Sequence, residues 1–218
     1  MGRLGKNLSV EEARKKVHVK GFRNFLAVDP KNIGLHILQF CAQHYLCRPG
    51  QNYYLTDVSK GAMKGKQADH QRQERYRLWY PLLQKELALV GPQARLIAVG
   101  RVVDEFLRDQ GIVPAASILH YSGQNVSWRQ RAVAPYADDF AKYRDAVTMS
   151  AILEAAADYA QGTEVPAGSA AEFLAEVTAR QEQLSREGRT YPTVSQQQLM
   201  FHYKHEFAAL QSTGCRGN

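Results

Sequence analysis

Short apolar runs, each rich in β-branched or aromatic residues, punctuate the first half of the chain. They cover residues 53–58, 95–99 and 117–121, and turn-forming residues bound each of them. Apolar runs of this length without strict alternation are typical of strands that are buried on both faces. The pattern therefore predicts a strand at each of these segments.

Segments with the period of an amphipathic helix lie between these runs. Residues 71–90 repeat apolar side chains at steps of three and four, and residues 101–110 do the same. An alternation of strand and helix predicts a parallel sheet with right-handed crossovers.

The remaining helical signals lie on either side of this alternation. Ser9 and Glu12 form a capping box for a helix that runs to Lys16, which leaves only residues 1–4 for a first strand. Further helices are predicted at 33–46, 133–160, 170–186 and 195–210.

The order of elements predicts an α/β fold with three layers, α/β/α, and a short, mainly parallel four-stranded sheet, with extra C-terminal helices. A chain of 218 residues with 44% hydrophobic content is long enough for one substantial core. We expect residues 1–160 to form the α/β domain and residues 161–218 to form a helical extension that packs on the same domain.

Charge and composition narrow the class of partner. The formal net charge is +7, and lysine and arginine crowd the first part of the chain, which favours a polyanion such as DNA. No apolar run approaches the roughly 20 residues that span a bilayer. We therefore expect no membrane partner and a cytoplasmic location, or a nuclear one in a eukaryote. We also expect a monomer. The spacing of the three cysteines matches no zinc or iron–sulfur ligand set, so we expect no metal and no cofactor.

Polar residues follow the predicted strands, at the sheet edge where chemistry gathers in open parallel sheets. Residues 56–61, Thr-Asp-Val-Ser-Lys-Gly, follow the strand at 53–58, and residues 120–125, His-Tyr-Ser-Gly-Gln-Asn, follow the last strand. Residues 5–9, Gly-Lys-Asn-Leu-Ser, precede the first helix. These stretches, in this order, resemble the uracil-DNA glycosylase superfamily. The resemblance is strongest from Tyr53 to Arg129.

The resemblance implies roles for the loop at 120–125, because a glycosylase must extrude its target base from the duplex. His120 lies where the family stabilises negative charge on the departing base, and an imidazole N–H is a suitable donor. Gln124 lies where the family inserts a wedge into the duplex. The other DNA contacts expected in and around this loop are Ser122, Gly123, Asn125 and Arg129. The family usually has Pro where Tyr121 stands, and a capped turn in which His120 binds a backbone group is the structural alternative.

Two residues near the start of the chain complete the implied catalytic site. Asn7 fits the branch of the superfamily in which an amide positions the attacking water, although Leu8 replaces the usual Pro. Phe25 lies where the family stacks an aromatic ring on the base, with Phe22 as the near alternative. The structural alternatives are a helix cap for Asn7 and core packing for either ring.

Asp57 departs most informatively from the family, in which many members have an asparagine that reads uracil. A carboxylate only accepts hydrogen bonds, so an ionised Asp57 would repel the uracil O4 atom. Asp57 is therefore protonated in a dry pocket, selects a base with an amine donor, or marks a protein that no longer excises uracil. In the structural alternative, it pairs with Lys60 or a nearby arginine.

The basic loop after Asp57 and the start of the last α/β helix offer further DNA contacts. Lys60 and Lys64 are placed to hold a DNA backbone, with solvated surface charge as the alternative. Trp128 either stacks on a DNA strand or packs on the core.

These features predict a DNA glycosylase-like protein that flips and hydrolytically excises uracil or a related damaged base. The first alternative is a catalytically inactive DNA-binding relative with the same fold. The second is a nucleotide-binding α/β enzyme, against which the lack of a dinucleotide fingerprint or P-loop argues.

Overall fold

The computed structural model describes residues 33–60, 71–122, 126–152, 154–155 and 192–213, together with isolated positions between 175 and 187. The chain divides into two compact units. The first consists of Met1–Leu26 and Tyr54–Ser117, and the second consists of Ala27–Tyr53 and Ile118–Asn218. The predicted strand at 1–4, the capping box and the boundary at residue 160 lie outside the described residues and stay predictions.

Helices and strands alternate in the middle of the chain. The described elements on either side of this region are helices. In chain order they are α1 (Ile33–Cys41), α2 (Arg72–Val90), β1 (Ile97–Val99), α3 (Arg101–Asp109), β2 (Ala116–Ile118), α4 (Val126–Val133), α5 (Ala137–Tyr143) and α6 (Val194–Thr213). A π-helical turn, Ala42–Leu46, follows α1, and a 3-10 turn, Ala134–Tyr136, joins α4 to α5. The helices predicted at 71–90, 101–110 and 195–210 are confirmed to within three residues.

The sheet of the described residues is a parallel pair, β1 and β2. The strands predicted at 95–99 and 117–121 are confirmed but shorter. The strand predicted at 53–58 is wrong, because this segment has no strand structure. Its apolar character reflects burial without pairing: Val58 belongs to the core, whereas Tyr54 is exposed. The molecule thus has α/β character, and a four-stranded sheet is not among its described elements.

The core of the first unit lies between α2, β1 and α3. It consists of Val58, Leu83, Ala98, Phe106 and Leu107. Tyr76 and Tyr80 of α2 both meet the Phe106 ring edge-on, with centroids 5.1 and 5.7 Å away. The amphipathic pattern of the sequence is therefore realised, with α2 and α3 each turning one face toward the sheet.

The end of α3 explains how the chain returns to the sheet. Gly111 has φ +77°, in the left-handed region that favours glycine. The Gly111 N–H donates to the Arg108 carbonyl, and the Ile112 N–H donates to the Leu107 carbonyl, both at 2.9 Å. These two hydrogen bonds form a Schellman cap, which directs Ile112 back against the core.

The second unit is built around α6, which packs against α1, the π-helical turn, α4 and α5. Every residue of α1 from Leu35 to Cys41 is buried. The helix predicted at 33–46 is confirmed in its bounds, but residues 35–41 are buried on all sides instead of on one face, and residues 42–46 are π-helical. Two buried polar side chains of α1, His36 and Gln39, hydrogen-bond to each other, with Nδ1 and Oε1 3.2 Å apart.

The single helix predicted at 133–160 is wrong. Pro135 lies in the 3-10 turn, and α5 ends at Tyr143. Helical structure resumes at residue 149, where Thr148 Oγ1 accepts the Ala151 N–H at 3.2 Å. A threonine at this position is a helix N-cap, so the sequence starts a new helix there instead of continuing the old one. Among the described helices, none has both the length and the apolar character needed to cross a membrane.

Candidate functional site

The segment after β2 is held by two neighbouring residues of α6. His202 Nε2 accepts the Leu119 N–H at 3.2 Å. The Tyr203 hydroxyl donates to the Leu119 carbonyl at 2.6 Å, and Tyr203 is fully buried. Both polar groups of the Leu119 backbone are thus satisfied by side chains from far along the chain. This arrangement fixes the path of the backbone into His120.

His202 performs this task as a neutral imidazole. Burial, assisted by the nearby His205, lowers the pKa of His202 to about 4. Since Nε2 accepts a hydrogen bond, the proton of the neutral ring lies on Nδ1. Glu206 Oε1 is 3.9 Å from Nδ1, which is too long for a hydrogen bond. The neutral tautomer that supports Leu119 is therefore the stable form at neutral pH.

Arg129 holds the next part of the same segment. Its Nη2 donates to the carbonyls of Tyr121 and Ser122 at 2.9 and 2.7 Å, and its Nη1 donates to Ser195 Oγ at 3.0 Å. Burial lowers the pKa of Arg129, although a guanidinium remains charged at neutral pH. Arg129 is only 4% exposed, so this charge serves the loop from inside the protein. Its predicted contact with DNA stays a prediction.

The backbone fixed in this way sets the tautomer of His120. His120 Nδ1 accepts the Ser122 N–H at 3.0 Å. In the neutral ring the proton is consequently on Nε2, which makes that atom a hydrogen-bond donor. The His120 ring stacks on Tyr121 with centroids 4.3 Å apart. The turn that sequence analysis offered as an alternative is present, and it orients the imidazole.

Gly34 of α1 allows the loop to approach the helix. A Cβ atom at residue 34 would lie 2.5 Å from the Tyr121 carbonyl oxygen and 3.2 Å from Tyr121 Cβ. Because these distances are shorter than real Cβ contacts, any larger residue at position 34 would displace the loop or the helix.

Lys60 and its surroundings form a separate polar cluster in the first unit. Lys60 Nζ contacts Thr56 Oγ1 and pairs with Glu86 Oε2 at 2.7 Å. Thr56 Oγ1 also bonds Glu86 Oε2, at 3.0 Å. The Lys60 side chain is 8% exposed, so its ammonium is engaged inside the unit. The alternative of a solvated surface charge is therefore wrong for Lys60, and its predicted contact with a DNA backbone stays a prediction.

Asp57 lies near a tyrosine and two arginines of α2. Burial raises the pKa of Tyr76; Arg72 and Arg75 oppose this rise, and Asp57 adds to it. Asp57, Arg72 and Arg75 therefore each lie close enough to Tyr76 to interact with it electrostatically. Lys60, one of the two partners named for Asp57 in the structural alternative, pairs with Glu86. The pairing of Asp57 with a nearby arginine stays a prediction.

The other residues predicted for the site lie outside the described residues. They are Asn7, Phe25, Lys64, Gly123, Gln124 and Asn125. Of the predicted residues that are described, the structure brings together His120, Ser122 and Arg129 in the second unit. Asp57 and Lys60 both lie in the first unit, where each has other neighbours. Within the described ranges, no group of histidine, cysteine and carboxylate side chains is arranged to hold a metal ion.

Sequence reasoning missed the residues that support His120. They are Gly34, Ser195, His202 and Tyr203. Leu199, Met200, Tyr203 and Phe207 recur with helical spacing and are buried, so the sequence pattern identifies Tyr203 as buried. No local signal shows that its hydroxyl reaches Leu119.

No family model matches the chain, and no curated protein or solved structure is significantly similar to it. The resemblance to the uracil-DNA glycosylase superfamily consequently rests on the motifs quoted above.

Proposed function

We propose that the protein is a DNA glycosylase of the uracil-DNA glycosylase type. It flips uracil or a related damaged base out of DNA and hydrolyses the N-glycosidic bond. The proposal includes the three-layer α/β/α architecture with a four-stranded sheet.

The observation that carries the proposal is the tautomer of His120. Cleavage of the glycosidic bond leaves negative charge on the departing base, and a preorganised N–H donor stabilises that charge. His120 Nδ1 is already an acceptor for the Ser122 N–H, so Nε2 presents the donor. A donor on Nε2 needs no net charge on the ring.

The supports of the loop agree with this role. The N–H and the carbonyl of Leu119 are both hydrogen-bonded to side chains of α6. Arg129 donates to the carbonyls of the two residues that follow His120. A group that stabilises a transition state acts best when its position is fixed before the substrate binds. The net charge of +7 supports the choice of DNA as substrate.

Asp57 determines which base the proposal favours. A carboxylate only accepts hydrogen bonds, so Asp57 is suited to a base that offers an exocyclic amine. We therefore expect a damaged base that retains an exocyclic amine donor to compete with uracil.

The test is release of a base from a labelled oligonucleotide that carries a single uracil, opposite guanine and in single-stranded form. We expect alkali-labile strand scission with the wild type, and a fall of about 100-fold or more with His120→Ala. His44→Ala is the matched control, because His44 is an exposed histidine in the same unit, and it should retain activity. A panel with deaminated and mismatched bases covers the selectivity set by Asp57.

No release of any base by the wild type, with DNA still bound, would replace this proposal by a catalytically inactive DNA-binding relative. Equal activity of wild type and His120→Ala would remove His120 from the mechanism. Thermal stabilisation by free nucleotides instead of DNA would favour a nucleotide-binding enzyme.

A further inference from the structure

Helix α4 has an inner face that supports the His120 loop and an outer face with an exposed tryptophan. Arg129 and Val133 are buried. Trp128 is 52% exposed and Val126 is 41% exposed. Core packing, one of the two roles that sequence analysis allowed for Trp128, is therefore wrong. The half-exposed ring leaves a large part of its aromatic surface accessible to a ligand.

Arg131 shares this outer face with Trp128. The residues are three positions apart, and the Arg131 guanidinium carbon lies 5.2 Å from the centre of the Trp128 ring. This geometry is a cation–π contact, which places a positive charge beside an accessible aromatic surface.

The charge of α4 identifies the chemistry of the ligand. The helix sequence, VSWRQRAV, contains no carboxylate, and since Arg129 is buried, Arg131 supplies the positive charge of the outer face. A guanidinium beside the ring does not favour an apolar protein partner, because binding would remove the charge from water. A nucleic-acid strand supplies both a base that stacks on an indole and a phosphate that pairs with a guanidinium.

The position of α4 joins this face to the candidate site. Arg129, between Trp128 and Gln130, bonds the carbonyls of Tyr121 and Ser122. The outer face of α4 is therefore held in a fixed relation to His120.

We propose that the outer face of α4 binds single-stranded nucleic acid, with an unpaired base stacked on Trp128 and a phosphate bound to Arg131. The inference rests on the nucleic-acid partner of the proposed function, but it does not depend on base excision. Single strands are specified because a paired base does not offer its face to a side chain.

The chain contains two tryptophans, Trp79 and Trp128, and this permits a direct test. The variant Trp79→Phe leaves Trp128 as the reporter, and Trp128→Phe leaves Trp79 as the matched control. On titration of the whole chain with oligo-dT at low salt, we expect quenching of Trp128 emission and little change for Trp79. Heparin serves as a polyanion without bases and should quench Trp128 much less.

The second test measures binding affinity by the fluorescence anisotropy of labelled oligo-dT. We expect Trp128→Ala to weaken binding by about tenfold, and Trp128→Phe to weaken it less, because a phenyl ring retains part of the stacking. Arg131→Ala should weaken binding several-fold and flatten the salt dependence, whereas Arg131→Lys should keep the salt dependence. Arg144→Ala, an exposed arginine of the same unit, is the control and should have a smaller effect.

Unchanged Trp128 emission at saturating oligo-dT, or equal quenching by heparin, would overturn the stacking proposal. Quenching by duplex but not by single strands would overturn the choice of ligand. If the wild type releases the base while oligo-dT leaves Trp128 emission unchanged, this inference is refuted and the proposed function stands. Quenching of Trp128 by oligo-dT, without base release by the wild type, would refute only the proposed function.

Discussion

Each of the two units contains a largely buried cation that is bound to nearby oxygen atoms. The two units differ in how far apart along the chain the residues in these contacts lie. In the first unit, Lys60 pairs with Glu86, 26 residues further along the chain. In the second unit, Arg129 bonds Ser195, 66 residues away, and the Leu119 backbone bonds His202 and Tyr203 across 83 and 84 residues. The first cluster is thus formed within one segment and its following helix, whereas the second requires the C-terminal helix.

The two clusters therefore have different roles. One stabilises its unit, and the other also sets the geometry of the candidate site. The Lys60 cluster links residues 56–60 to α2 and stabilises one compact unit. The contacts of α6 with residues 119–122 determine the tautomer and position of one candidate catalytic side chain. Substitutions in the two clusters should therefore have comparable effects on folding but different effects on His120.

The largest expected loss of stability follows from removing Lys60. Lys60→Met leaves the Glu86 carboxylate, whose side chain is 18% exposed, without its ammonium partner, and we expect a loss of about 3 to 5 kcal/mol in the free energy of unfolding. The double variant Lys60→Met with Glu86→Leu should recover most of it, because it removes both charges of the pair. Urea unfolding measures both. A double variant no more stable than the single one would contradict the interpretation.

Arg129→Met should have the next largest effect, because it leaves the Tyr121 and Ser122 carbonyls and Ser195 Oγ without their donor. We expect a loss of about 3 to 4 kcal/mol, and a smaller one for Arg129→Lys, whose single ammonium cannot reproduce the fork of the guanidinium. Urea unfolding gives the energies, and ¹⁵N spectra of the His120 ring report its tautomer. Wild-type stability and spectra in Arg129→Lys would show that the fork is unimportant.

Acid should weaken the contact of α6 with Leu119. The pKa of His202 is about 4 in the folded protein, against 6.5 for an ordinary histidine. Between these values the unfolded chain binds more protons, so stability is fully present above about pH 6.5 and falls as the pH is lowered toward 4, by at most about 3 kcal/mol. His202→Gln keeps an acceptor for Leu119 and should reduce this pH dependence. The neighbouring His205 and Glu206 are left unchanged, and an unaltered profile in the variant would assign the dependence to other groups.

Gly34→Ala should produce the smallest loss of stability but a local displacement at His120. The added Cβ meets the Tyr121 carbonyl at 2.5 Å, so we expect a cost of about 2 kcal/mol and altered His120 ring signals in NMR spectra. Gly50→Ala is the control, since Gly50 has φ +82° and its added Cβ would have no described atom within 4 Å. It should lose about 1 kcal/mol through backbone strain while the His120 signals stay as in the wild type. Identical His120 spectra in wild type and Gly34→Ala would show that the loop does not depend on this approach.

The local sequence pattern is enough to predict the helices whose apolar residues recur with a helical period. The bounds of α2, α3 and α6 agree with that period to within three residues, because one buried face and one solvated face leave a local record in the chain. It also located β1 and β2, and it selected His120 as a residue at the end of a strand.

Tertiary packing determines which polar groups are joined and which apolar runs pair as strands. An apolar run such as residues 53–58 is equally compatible with a paired strand and with a buried irregular segment. Val58 is buried in either case, and only the lack of strand structure in the folded molecule distinguishes the two. The bonds that fix Leu119 and Arg129 link residues that are far apart in the chain, so no local pattern records them. The tautomer of His120 depends on the Ser122 N–H, and the direction of that N–H is set by the backbone path that α6 and Arg129 impose.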